Sequence, residues 1–157
     1  MVIDGERLVD RAVRCLRAAD CDPVIVVLGA WAGDVPHADV VVNEHWIEGM
    51  GSSLRIGLDA LASLEDVGSA VVTLVDLPGL TPQAVRRVVA ADGDLIVATY
   101  DGERGHPVRF DRRHWPDIAR LAVGDEGARG FLAGRTDVTF VELGDVASGY
   151  DVDVPPE

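Results

Sequence analysis

Residues 69–82 read SAVVTLVDLPGLTP, and the fold class can be read from them. From Ser69 to Asp76 the side chains are almost all apolar. A strand covered on both faces reads this way, whereas a half-exposed strand alternates. The run ends in a carboxylate, Leu77-Pro78-Gly79-Leu80 turns the chain, and Thr81-Pro82 opens a helix with a capping hydroxyl and a proline at its first position. Working outward, Val24–Leu28 (VIVVL) is a second doubly buried strand and Asp39–Asn43 (DVVVN) a shorter one. Residues 6–19 place Leu8, Ala12, Cys15, Leu16 and Ala19 on one helical face, and Leu54, Leu58 and Leu61 share a face of another helix. Downstream, Asp94–Tyr100 and His106–Phe110 form an antiparallel hairpin around the loop Asp101–Gly105. Helical segments come next at 115–122 and 130–133, with closing strands at 138–142 and 150–154. Strands alternating with helices define an α/β fold with a mainly parallel sheet, expected as one domain over residues 1–157.

Composition narrows the function classes. The 157 residues carry 27 acids against 14 cations, a net charge of −13, which argues against a nucleic-acid-binding face. No apolar run approaches the roughly 20 residues needed to span a bilayer, and the first residues lack the apolar core of a signal peptide. Cys15 and Cys21 have no ligand-like spacing and read as free thiols, so a cytoplasmic location is expected. All 14 cations are arginines. No chemistry that needs a lysine ammonium can come from these residues, and the GxxxxGK[ST] phosphate loop is impossible without Lys.

Five places could carry chemistry. Asp76 stands at the carboxyl end of a strand, where open α/β sheets bind ligands, and offers a hard oxygen ligand for Mg²⁺. In Asn43–Ser53 (NEHWIEGMGSS), Gly49 and Gly51 permit close backbone approach and Ser52 or Ser53 opens a helix whose N-terminus favours an anion. Arg55 stands in the first turn, where a cation is unfavourable unless it faces a negative group. His106 begins the returning hairpin strand, and Asp125 to Arg129 form a turn in which the arginine fork suits phosphate. Asp151 and Asp153 lie on one side of the last strand, as a second metal ligand or as acidic surface. Each place also has a bland reading as a cap, a turn or a surface ion pair.

Taken in order, EGMGSSL (48–54), VDLPGLTP (75–82), GERGHPVRF (102–110), GDEGAR (124–129) and DVDVPPE (151–157) resemble the MobA-like nucleotidyltransferases of molybdenum cofactor maturation, especially the cytidylyltransferase branch. The resemblance implies a Rossmann-like, three-layer fold of the nucleotide-diphospho-sugar transferase type. It implies transfer of a nucleoside monophosphate, CMP from CTP, to the phosphate of a molybdopterin-type acceptor, with Mg²⁺ and release of pyrophosphate. On it, Asp76 holds Mg²⁺ with help from Asp151 or Asp153. Gly49, Gly51, Ser52, Ser53 and Arg55 line the nucleotide, and His106, Asp125 and Arg129 face the acceptor. A molybdoenzyme or its chaperone would be the protein partner.

One departure bears on activity. The family opens with a strand and a glycine-rich, Lys-bearing triphosphate loop, and Val2–Gly5 corresponds to the short strand after that segment. The first reading is a nucleotidyltransferase whose natural form carries the segment ahead of Met1. The second is a member that binds cofactor or partner without catalysis. An unrelated flavodoxin-like binding domain is the third, supported only by the generic α/β pattern. Sheet edges left without that strand would promote self-association. On the first reading, protein purified from its native source has a mass above 16.7 kDa.

Overall fold

The computed structural model describes residues 1–153. The terminal Val154–Glu157, with the end of the expected last strand, lie outside the described residues. The chain gathers into two compact units: residues 1–24, 71–109 and 138 onward, and residues 25–70 with 110–137.

The first unit begins with two two-residue strands, β1 (Val2–Ile3) and β2 (Glu6–Arg7), joined by Asp4-Gly5 with both residues at positive φ. Helix α1 (Leu8–Ala18) comes next. A four-stranded sheet has the order β5-β7-β6-β8, built from β5 (Ser69–Val72), β6 (Leu95–Tyr100), β7 (Glu103–Asp111) and β8 (Val138–Glu142). Strands β6 and β8 run parallel, with Leu95 opposite Val138 and Thr99 opposite Glu142. The hairpin turn is tighter than expected: only Asp101 and Gly102 separate β6 from β7. Both have positive φ, 52° and 84°, the geometry whose twist matches the strands it joins. Helix α3 (Pro82–Ala90) starts as expected, with Ala84 N–H donating to Thr81 Oγ1 at 3.2 Å. The core of this unit joins Cys15 of α1, Ala19 just after that helix, Ala84, Val85 and Val88 of α3, and Ile96 and Ala98 of β6. Both cysteines are free, and burial pushes the Cys15 thiol up to about 11.

Two strand expectations are corrected here. The apolar run from Ser69 pairs only to Val72, and residues 73–76 are not strand, because a ladder requires a hydrogen-bonded neighbour as well as apolar side chains. Residues 150–153 are likewise not strand; the Val152 N–H makes a single backbone bond to the Asp76 carbonyl.

In the second unit β3 (Ile25–Leu28) and β4 (Asp39–Val42) form a parallel pair, and helix α2 (Met50–Ala62) packs on β3. A Cβ built on Gly57 would lie 3.4 Å from Val27 Cγ2, so the two elements approach closely there. Helices α4 (Trp115–Leu121) and α5 (Arg129–Leu132) complete the unit around buried Leu58, Phe110, Trp115, Ile118 and Phe131. The Trp115 indole N–H donates to the Phe110 carbonyl at 3.1 Å.

The arginines collect carbonyls that helix ends leave unpaired. Arg86 donates to Ala18 at the end of α1. Arg109 reaches Val89, Ala91 (2.9 Å) and Gly93 (2.6 Å) around the end of α3. Arg112 spans Ala62 (2.6 Å), Leu64 (2.6 Å) and Val67 (2.8 Å) after α2 while lying over the Trp115 ring. A planar fork of donors can serve several carbonyls at once, which an ammonium cannot do in the same geometry. Replacing Arg112 by Met is expected to cost about 2 kcal/mol, a fall in Tm of about 4–8 °C in a thermal melt, and Lys is expected to recover only part of it.

Candidate functional site

In the first unit the candidate residues converge on the turn after β5. The Asp76 carbonyl accepts from the Val152 N–H at 3.0 Å, and the Gly79 carbonyl accepts from the Ser148 N–H at 3.2 Å. These two bonds lay residues 148–152 along the 76–79 turn. Gly79 makes that possible, because a Cβ there would fall 2.7 Å from Ser148 Cβ. Asp76, Asp151 and Asp153 each then offer one carboxylate oxygen, all within 4.8 Å of one another. The latter two are exposed; Asp76 is partly buried, and its Oδ1 is buried with no hydrogen-bond partner among the described residues. Burial holds the Asp76 carboxyl above the ordinary carboxylate range. The charges of Asp151 and Asp153 add to that shift, while a backbone hydrogen bond and His106 oppose it. Three acids this close repel one another, and an unpartnered buried oxygen is costly, so the arrangement suits a hard cation.

The second unit holds the glycine-bearing loop. Helix α2 begins earlier than expected: Met50 is its first residue and Gly49, at φ 103°, precedes it. Ser52 and Ser53 therefore lie inside the helix and do not cap it, and Arg55 lies in the second turn. Both hydroxyls accept from the fully buried Asn43 amide, at 2.8 Å for Ser52 Oγ and 3.0 Å for Ser53 Oγ. Ser52 Oγ donates to the Gly49 carbonyl at 2.8 Å, and the Asn43 side-chain oxygen accepts from the His45 N–H at 2.9 Å. The loop is thus closed on itself by Asn43.

The two glycines permit close approach to protein backbone. A Cβ on Gly51 would meet the Ala122 carbonyl carbon at 2.7 Å, and one on Gly49 would meet Gly124 at 2.5 Å and Asp125 Oδ1 at 2.6 Å. The turn carrying Asp125 therefore packs against the Gly49 loop, an association the spacing did not reveal. Arg55 donates to the Ala122 carbonyl and pairs with Glu48 at 3.4 Å, so the negative group it faces belongs to the protein. The side chain of Arg129, exposed at the start of α5, makes no hydrogen bond or ion pair among the described residues. It remains free to meet an anion. A shallow cavity of about 250 Å³ along α2 and α4, lined by Leu58, Trp115 and Pro116, touches none of the candidate residues.

The model of the MobA-like NTP transferase domain matches residues 1–139. The chain belongs to this family. Among proteins of assigned function, nicotine blue oxidoreductase of Paenarthrobacter nicotinovorans is 35% identical, over 95% of this chain and 79% of its own length. Rv0371c of Mycobacterium tuberculosis H37Rv is 27% identical with a TM-score of 0.78, over 96% of this chain and 82% of that one. A second structure of that protein, in complex with manganese, has a TM-score of 0.75 and covers 90% of this chain and 78% of that one. The 2-C-methyl-D-erythritol 4-phosphate cytidylyltransferase of Thermus thermophilus shares the fold at 17% identity and a TM-score of 0.70, over 98% and 86% of the two chains. The MobA-like chain thus has the nucleotide-diphospho-sugar transferase fold expected of it, and no helix among the described residues is long and apolar enough to cross a membrane.

Residue patterns missed Asn43. It had a signal available, a polar residue closing the apolar run DVVVN just as Asp76 closes the run from Ser69. Asn43→Ala is expected to cost about 1–3 kcal/mol by stranding buried polar groups. The loss would be seen as a lower Tm and faster amide exchange over residues 49–53.

Proposed function

We propose that this MobA-like chain is a divalent-metal-dependent nucleotidyltransferase, moving CMP from CTP to a phosphorylated acceptor of the molybdopterin type. The observation that carries the reading is the group Asp76, Asp151 and Asp153, with one buried Asp76 oxygen left without a hydrogen-bond partner among the described residues. An all-oxygen donor set fits Mg²⁺ or Mn²⁺, and the manganese complex of Rv0371c favours the use of a divalent ion. Bound to these residues, the ion would neutralise phosphate charge and orient the triphosphate.

In the reaction an acceptor phosphate oxygen attacks the α-phosphorus of CTP. The new phosphorus–oxygen bond forms as the bond from that phosphorus to the bridging oxygen of the β-phosphate breaks, and pyrophosphate leaves with the electron pair. Positioning and charge neutralisation carry such chemistry, and no nucleophilic side chain is required. Asp76, Asp151 and Asp153 would hold the ion, and His106 bears on the charge of Asp76. Gly49, Gly51 and the α2 N-terminus held by Ser52 and Ser53 would border the nucleotide. Arg55 would steady that border through Glu48, and Arg129 beside Asp125 would meet an acceptor anion.

The 35% identity with nicotine blue oxidoreductase favours a second reading, a redox enzyme acting on a pigment of that kind. The two are separated by product. Pyrophosphate release with CTP, Mg²⁺ and molybdopterin supports the first. Spectral conversion of nicotine blue in the presence of a redox co-substrate, without pyrophosphate, supports the second. Nucleotide binding with neither product would make the chain a non-catalytic binder.

A thermal-shift series with CTP, GTP and ATP is expected to show a metal-dependent rise with CTP. A ligand at about 100 times its Kd adds roughly 2.7 kcal/mol. Asp76→Asn is expected to abolish that rise while leaving the unliganded Tm within a few degrees; an unchanged rise would remove Asp76 from the metal site. The sign of the pH effect comes from the raised Asp76 pKa. Without metal, the stability this group contributes is present below its unfolded pKa and is lost as pH climbs through the higher folded one. Bound cation offsets that loss. The Mn²⁺-induced gain in Tm is therefore expected to be largest near neutral pH and to shrink on acidification through the raised Asp76 range.

A further inference from the structure

We propose that Tyr100 is the positioning residue of the carboxylate group, its ring setting the place of Asp151 and Asp153 relative to Asp76. The inference rests on the metal reading above.

Tyr100 is the last residue of β6, and its surroundings hold it firmly. The Glu142 carboxylate accepts from Thr99 Oγ1 at 2.8 Å, from the Asp101 N–H at 2.8 Å and from the Gly102 N–H at 3.2 Å, so the residues on either side of Tyr100 are tied to the end of β8. The Tyr100 hydroxyl donates to the His106 carbonyl at 2.7 Å, which fixes the far end of the ring. Burial raises the Tyr100 pKa, in keeping with a phenol that stays protonated and donates.

Two glycines lie against the ring. A Cβ built on Gly105 would sit 3.0 Å from Cδ2 and Cε2. One built on Gly149 would sit 2.4 Å from Cδ2 and 2.7 Å from Cε2 and Cγ, distances no real side chain tolerates. The ring therefore sets how near the backbone can come at Gly149, two residues before Asp151. The neighbouring bonds, Ser148 N–H to Gly79 and Val152 N–H to Asp76, hold the same segment from the other side. These restraints hold the segment where Asp151 and Asp153 each bring a carboxylate oxygen within 4.8 Å of one from Asp76. An aromatic ring is well suited to the task, since it is rigid and has few side-chain torsions to order. Residues that orient metal ligands in this indirect way typically govern metal affinity by roughly 10–100-fold.

The test is a Mn²⁺ titration of the full chain, with the free ion followed by its paramagnetic resonance signal. Wild type is expected to bind. Gly149→Ala adds one methyl group against the ring and touches no carboxylate; it is expected to weaken binding at least about tenfold. Adding Tyr100→Leu to that variant makes room for the methyl group and is expected to recover most of the loss, a rescue that general destabilisation would not produce. Tyr100→Phe keeps the ring and is expected to keep affinity within a small factor. If Gly149→Ala does not fold, Tyr100→Leu alone decides, and is expected to bind Mn²⁺ more weakly. Wild-type binding with unchanged affinity in the folded variants overturns the role of Tyr100 and leaves the metal reading standing. Absence of Mn²⁺ binding by wild type overturns the metal reading, and this inference with it.

Discussion

Holding three carboxylates together against their mutual repulsion is the constraint on which the first unit of this protein depends. Asp76, Asp151 and Asp153 come within 4.8 Å in a chain that already carries a net charge of −13. Such a group persists only where the backbone beneath it is held by interactions that do not involve the charges. Here those are the Val152–Asp76 and Ser148–Gly79 hydrogen bonds, the close contact of Gly149 with the Tyr100 ring, and the apolar layer of Val85, Val88, Ile96 and Ala98. Burial is the main cause of the raised pKa of Asp76, and the charges of Asp151 and Asp153 add to it.

The second unit solves a different problem with equally few groups. Its loop between β4 and α2 is polar and rich in glycine, a composition that ordinarily means mobility. A single buried amide, Asn43, binds both serine hydroxyls and accepts from the His45 N–H, so its donors and acceptor are satisfied within the loop. The glycines then let the start of α2 press against residues 122–125. What resembles a ligand-binding loop in sequence is also a tightly packed one. The two roles are compatible, because a site holds a nucleotide well only when its own backbone is already ordered.

The absence of lysine shapes both units. With guanidinium groups alone, the chain closes the ends of α1, α2 and α3 through forks that reach one to three carbonyls each. Many other arginines pair with nearby acids, such as Arg87 with Asp145 and Arg135 with Asp137. Arg129 stands apart, exposed and without a partner among the described residues, at the end of the turn that packs against Gly49.

Local chemistry was legible in the sequence. The apolar runs at 24–28, 39–43 and 94–100 marked strands, Thr81-Pro82 marked the start of α3, and the order of five short motifs placed the chain in its family, because hydrophobic period, capping and motif order are properties of neighbouring residues. Residue types could not show where pairing stops. The run from Ser69 stays apolar through Val75, but the strand ends at Val72, since a ladder requires a partner that lies elsewhere in the chain. Nor could they show that Asn43 closes the serine loop, that Asp125 lies against Gly49, or that Gly149 lies against the Tyr100 ring. Those contacts join residues 9 to 76 positions apart, beyond what hydrophobic period and capping between neighbours report. Residue chemistry determined which groups were available to the site; only the folded backbone decided which of them meet.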